Sequence, residues 1–126
     1  MSRIIFVALN VSDLERCVAF YRDAFAIEFH SDRNEPADDT WYGGIHAAFS
    51  WTDGAFLHFA LFPAAPPERG VSRDVQLGFS VADIGAAHQR AVAAGAAVVH
   101  GPRGEPWGTT ARYRDPDGNL VSITQR

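Results

Sequence analysis

Near the start of the chain Val7, Leu9 and Val11 alternate with Phe6, Ala8 and Asn10, the period-two pattern of a strand with two unlike faces. The pattern returns in Leu57, Phe59 and Leu61, in Val75, Leu77, Phe79 and Val81, and in Val121 with Ile123. Between the strands the period changes. Leu14, Cys17, Val18, Tyr21, Ala24 and Phe25 recur at helical spacing and predict one amphipathic helix. Ile84, Ala87, Ala91 and Ala94 predict a second with a narrower apolar stripe, closed by Gly95 as its C-terminal cap. Ahead of the first helix, "SDLE" from Ser12 reads as a capping box in which Ser12 and Glu15 satisfy free backbone N–H groups.

Laid against itself, the chain repeats. "LNVSDLERCVAFYRDAFAIEF" from Leu9 matches "FSVADIGAAHQRAVAAGAAVV" from Phe79, with Val11 over Val81, Asp13 over Asp83 and Ala24 over Ala94. Further on, "TDGAFLHFALF" from Thr52 lies over "PDGNLVSITQ" from Pro116, so each copy ends in an Asp-Gly turn leading into a strand. The expected fold class is therefore α+β: two βαβββ modules forming a curved mixed-sheet cavity with helices on the outer face. The modules, about 1–63 and 74–126, make one domain joined through the Pro-rich "FPAAPPERGVSRD".

If the apolar sets face the helices, the opposite faces carry Phe6, Ala8 and Asn10; Phe56, His58 and Ala60; Gln76, Gly78 and Ser80; Leu120, Ser122 and Thr124. Such a mixed surface is what the lining of a ligand cavity should look like. The repeat pairs Phe6 with Gln76 and His58 with Ser122, which predicts that these four positions converge about a pseudo-twofold axis.

Composition narrows the function classes. The net charge is −4, and all 11 basic residues are arginine, scattered without a run, which argues against nucleic acid. The single Cys17 excludes an internal disulfide, and "MSRIIFVALNVSD" turns polar too early for a secretory signal or a membrane span. A cytoplasmic protein with no membrane partner is expected.

With these residues in place, the chain resembles the vicinal oxygen chelate superfamily of glyoxalase I, bleomycin-resistance proteins and extradiol dioxygenases. "VALNVSDLERCVAFYRDAFAIEF" is similar to its opening strand and helix, and "PWGTTARYRDPDGNLVSITQ" to its closing hairpin. In metal-using members, the resemblance implies, the four paired positions hold a divalent ion through His, Gln or Glu side chains. Here they are Phe6, His58, Gln76 and Ser122, so Ser122 stands where such a relative carries a carboxylate. One imidazole, one amide, one hydroxyl and a benzene ring are a poor donor set for a transition metal. Neither a metal nor another cofactor is expected, and the resemblance is to the metal-free, bleomycin-resistance-like members.

Two functions of different class follow. One is a binding protein that sequesters an aromatic or antibiotic-like small molecule; the other is a lyase, isomerase or dioxygenase acting on a small oxygenated substrate, with His58 as the best catalytic candidate. The expected ligand-binding set is Phe6, Phe56, His58, Gln76, Trp107, Arg112, Tyr113 and Ser122. Trp107 is included because "EPWG" holds it in a loop, and Arg112 because it shares a strand face with Arg114 that would suit an anion if turned to the cavity. An acidic, aromatic stretch with Glu28, Asp32, Glu35, Asp38, Asp39, Trp41 and Tyr42 would instead suit a cation. His30, His46, His88 and His100 read as solvated or structural, and Cys17 as core. A homodimer is expected, because a βαβββ module leaves strand edges and a concave face that need a partner module, on the same chain or on a second one.

Overall fold

The computed structural model describes residues 1–34 and 44–126. Glu35, Asp38, Asp39, Trp41 and Tyr42 of the acidic, aromatic stretch lie outside the described residues. The elements run β1 (Phe6–Val11), α1 (Leu14–Phe25), β2 (His30–Asn34), β3 (Gly44–Trp51) and β4 (Leu57–Pro63), then β5 (Gln76–Ser80), α2 (Ile84–Ala93), β6 (Ala97–Glu105), β7 (Gly108–Arg114) and β8 (Leu120–Gln125). This is βαβββ twice, in two four-stranded mixed sheets ordered β1-β4-β3-β2 and β5-β8-β7-β6. In each module the first strand pairs in parallel with the last, and the remaining pairs are antiparallel. None of the described helices is long and apolar enough to cross a membrane.

Both helices start the same way. Asp13 and Asp83, in extended backbone, each accept a hydrogen bond from the N–H three residues on, at Arg16 and Ala86. The cap of α1 is thus Asp13 and not Ser12, one residue later than the capping-box reading. Ser12 is drawn away by a carboxylate from the other end of the chain: its N–H and hydroxyl both bond Asp117. At the end of α2 the cap is Ala94, and Gly95 follows it at φ +82°.

The helix-side faces of the two sheets meet each other. Leu9, Val11, Phe59 and Leu61 of the first module share a buried cluster with Cys17 and Tyr21 of α1 and with Val121 of the second, and Leu77 and Phe79 pack against it. Trp51 and Phe59 lie with ring centroids 6.2 and 6.4 Å from Phe79, across the boundary between modules. Aromatic side chains bury more area than any others, so this shared layer is the main apolar stabilisation between the modules.

Polar groups at the Asp-Pro-Asp-Gly-Asn turn lock the same boundary. Asp115 Oδ1 accepts the N–H groups of Asp117 and Asn119, which shapes the turn, while Oδ2 accepts the Tyr21 hydroxyl of α1 at 2.8 Å. Asn119 reaches the other way: its Oδ1 accepts the Val75 N–H and its Nδ2 donates to the Ser72 carbonyl. Asp115 and Asn119 are both buried. The segment between modules is tied down as well, with Asn10 N–H on Ser72 Oγ, Ser72 N–H on the Asn10 carbonyl and the Arg69 guanidinium on the Pro63 carbonyl.

Two outcomes follow. Burial, with the Asp115 and Asp117 carboxylates alongside, pushes the Tyr21 phenol up, and Tyr21→Phe leaves a buried carboxylate oxygen short of its best donor. This change should cost about 1–3 kcal/mol in urea denaturation, against about 0.5–1.5 for Tyr113→Phe, whose hydroxyl bonds the half-buried His88. Equal losses would show that the Tyr21–Asp115 bond is no stronger than an ordinary one. Second, burial first, then Asp117 and Asp115, pushes the Cys17 thiol up to about 12. A raised pKa keeps the thiol protonated as pH rises through neutrality, so a disulfide reagent at pH 8 should react with native protein on the order of a hundredfold or more slower than with unfolded chain.

Candidate functional site

On the first sheet, strand registry sets Phe6 beside His58 on β1 and β4, and Ser50 beside His58 on β3 and β4. The Phe6 ring stacks on the imidazole with centroids 5.6 Å apart and planes 16° apart, while remaining 41 % exposed. On the other side, Ser50 Oγ is hydrogen-bonded to His58 Nδ1 at 2.7 Å, which fixes the ring and leaves Nε2 as its second nitrogen. Ser50 was missed in the sequence. Its signal was there: alternation along β3 puts Ser50 on the same face as His46, opposite Phe49 and Trp51. Phe56 stands just before β4, 47 % exposed.

The second sheet presents a matching row. Gly78 on β5, Ser122 on β8, Arg112 on β7 and His100 on β6 are registered side by side. Gln76, Arg112 and Ser122, with Leu77, Gly78 and Leu120, line a cavity of about 160 Å³. Ser122 Oγ donates to the Leu77 carbonyl at 3.4 Å, a long bond that leaves the oxygen lone pairs available. Gly78 keeps this place open, because a side-chain carbon there would sit 3.2 Å from Ser122 Oγ.

Trp107 lies in the tight turn between β6 and β7, 54 % exposed, with Nε1 donating to Thr110 Oγ1 at 3.2 Å. Gly108 after it has φ +136°, and a Cβ there would come within 2.6 Å of the Gln125 carbonyl, so the turn requires glycine. Trp107 lines a cavity of about 440 Å³ with Ser80, Thr124, Arg126 and Gly78. Gly78 thus borders this space and the smaller one that holds Arg112.

Tyr113 is a correction to the expected set. Its ring is fully buried in the helix-side core against Phe25, and its hydroxyl bonds His88 Nδ1 at 2.6 Å. Strand alternation explains it: Arg112 and Arg114 take one face of β7, so Tyr113 takes the other. His46 is not solvated either. It is 3 % exposed, stacked on Phe62 at 4.4 Å and 3.8 Å from an Asp32 oxygen.

The four paired positions do not meet within one chain. Phe6 and His58 lie on one sheet and Gln76 and Ser122 on the other, and it is the helix-side faces of the two sheets that meet in the core. Phe6, Ala8, Gln76, Gly78 and Ser80 are accordingly exposed. As a metal site the set does not fit: Phe6 has no donor atom, and the imidazole is on a different sheet from the amide and the hydroxyl. Among the described residues no group of three or more His, Cys, Asp or Glu side chains could hold an ion.

The comparisons agree with this architecture. Over 99 % of its length the chain superposes on 96 % of TnmS3, an antibiotic binding protein from Streptomyces sp. CB03234, at 26 % identity and TM-score 0.71. TioX from Micromonospora sp. ML1 is also 26 % identical, with 98 % of each chain covered and TM-score 0.69. A lactoylglutathione lyase from Agrobacterium tumefaciens shares the fold at 22 % identity, covering 99 % of this chain and 94 % of its own, TM-score 0.67. Among curated proteins none matches. The family model of the Glyoxalase/Bleomycin resistance protein/Dioxygenase superfamily matches residues 3–123, and the chain belongs to that superfamily.

Proposed function

We propose that the protein is a metal-independent binder of small aromatic or antibiotic-like molecules, with its site completed by a second copy of the chain. The observation that carries this reading is the pair of open, unlike half-sites on outward faces: Phe6, Phe56 and His58 on one sheet, Gln76, Trp107, Arg112 and Ser122 on the other. In a twofold dimer the first sheet of one protomer can face the second sheet of its partner, which brings the four paired positions together twice. Ile4, Ile5 and Phe6 form an exposed apolar run leading into edge strand β1, a surface that a second copy would cover. The description of TnmS3 as an antibiotic binding protein, at 26 % identity over nearly the whole chain, supports the same reading.

A second reading has one observation in its favour. Ser50 orients His58, so a metal-free proton transfer by Nε2 on an enolisable substrate is chemically available. Turnover of such a substrate that is lost in His58→Ala and retained after chelation would establish this reading in place of the first.

The binding reading makes three linked forecasts. Light scattering at micromolar concentration should give twice the 13.7 kDa chain mass, and protein purified without chelator should hold far less than one equivalent of Fe, Mn, Ni or Zn. Flat aromatic compounds should quench tryptophan fluorescence. Trp107→Ala should weaken them by about 0.5–1.5 kcal/mol, a few-fold to tenfold, without lowering Tm appreciably. A monomer, a stoichiometric metal, or a large loss of Tm with unchanged affinity would each count against it.

A further inference from the structure

Arg112 is placed unlike an ordinary surface arginine. It stands on β7 in register between Ser122 of β8 and His100 of β6, half-buried, with its side chain lining the cavity of about 160 Å³. Among the described residues its guanidinium has no hydrogen-bond or ion-pair partner, whereas nearby Arg103 bonds Glu105 and Arg114 bonds the Gly118 carbonyl. A guanidinium cannot shed its proton in response to burial, so a charge held partly out of water with nothing opposite it is costly. The residues around it do not offset that cost. Gln76, Gly78, Leu120 and Ser122 are neutral, His100 Nδ1 is bonded to the Gly101 carbonyl, and among the described residues no carboxylate lines the cavity.

Resting on the reading that this face binds small molecules, we infer that the ligand is a planar anion, a carboxylate borne on an aromatic ring, gripped by Arg112. The guanidinium fork offers two parallel N–H donors to two adjacent oxygens, the geometry in which it recognises carboxylates best. The Gln76 amide supplies a neutral donor on the same cavity wall, and the Ser122 hydroxyl becomes one when it turns from its long bond to the Leu77 carbonyl. Because Gly78 borders both cavities, a ring attached to the carboxylate runs toward Trp107, where it can stack. Neutral Ser122 is registered beside Arg112, which brings a fixed positive charge to the cavity they share. The same face adds Arg114, giving positive potential on a chain whose net charge is −4.

The test compares 2-naphthoate with 2-naphthamide, equal in shape and unlike in charge, by calorimetry on the full-length protein. The wild type should bind the acid roughly tenfold or more tightly than the amide. Arg112→Gln should weaken the acid far more than the amide and so erase that difference, and Arg112→Lys, which keeps the charge and loses the fork, should fall between. The acid, and not the amide, should weaken as salt is raised. Equal affinities in the wild type, or an Arg112→Gln protein that still prefers the acid, would overturn the inference. The acid–amide comparison in the wild type needs no variant, so a misfolded substitution does not block it. If the amide binds as well as the acid and Trp107→Ala weakens both, the anion inference falls and the small-molecule reading stands; if neither probe binds, both fall.

Discussion

The hydrogen bond from the Tyr21 hydroxyl to Asp115 joins the first helix to the last turn of the chain, 94 residues away. Much else hangs on that carboxylate. Its other oxygen folds the turn that launches β8, and through Asn119 the turn holds Ser72 and Val75 where the connecting segment enters β5. Since β8 pairs with β5 on one side and β7 on the other, the placement of Ser122 next to Gly78 and Arg112 is inherited from this buried polar knot. Such a network is stable only when fully satisfied, and here Asp115 and Asn119 find partners from both modules.

The repeat was legible because it is written in periods that survive divergence. Period two in the strands, 3.6 in the helices and an aspartate before each helix sufficed to lay one module over the other, and the matched pair Asp13 and Asp83 proved to be the two caps. The role given to Ser12 was not readable locally, because its partner Asp117 lies 105 residues away. The burial of Tyr113 follows from alternation along β7, since Arg112 and Arg114 take the other face. The burial of His46 depends on Phe62 across the β3–β4 pair, a long-range pairing that no local pattern reports.

For the site, the residue types were legible and their spatial relation was not. Pairing Phe6 with Gln76 and His58 with Ser122 follows from the repeat, but a repeat does not say which faces of two equivalent sheets turn toward each other. Here the aromatic content of the helix-side faces decides it. Trp51, Phe59 and Phe79 bury against one another, and the sparser faces with Ala8, Gly78 and Ser80 are left outward. The unpartnered state of Arg112 was likewise out of reach of the sequence, since it depends on what β6 and β8 place around it.

The layer of rings across the module boundary bears on how the chain comes apart. Neither repeat owns its interior: one buried cluster borrows Val121 from the second module, and the other borrows Ala24 from the first, with Phe20 and Phe25 packed onto it. Either repeat alone would lose the packing that Phe25, Phe59 and Trp51 make with Phe79. Local opening of one repeat therefore strips the other of its packing, and a partly unfolded form with one intact half has little stability of its own.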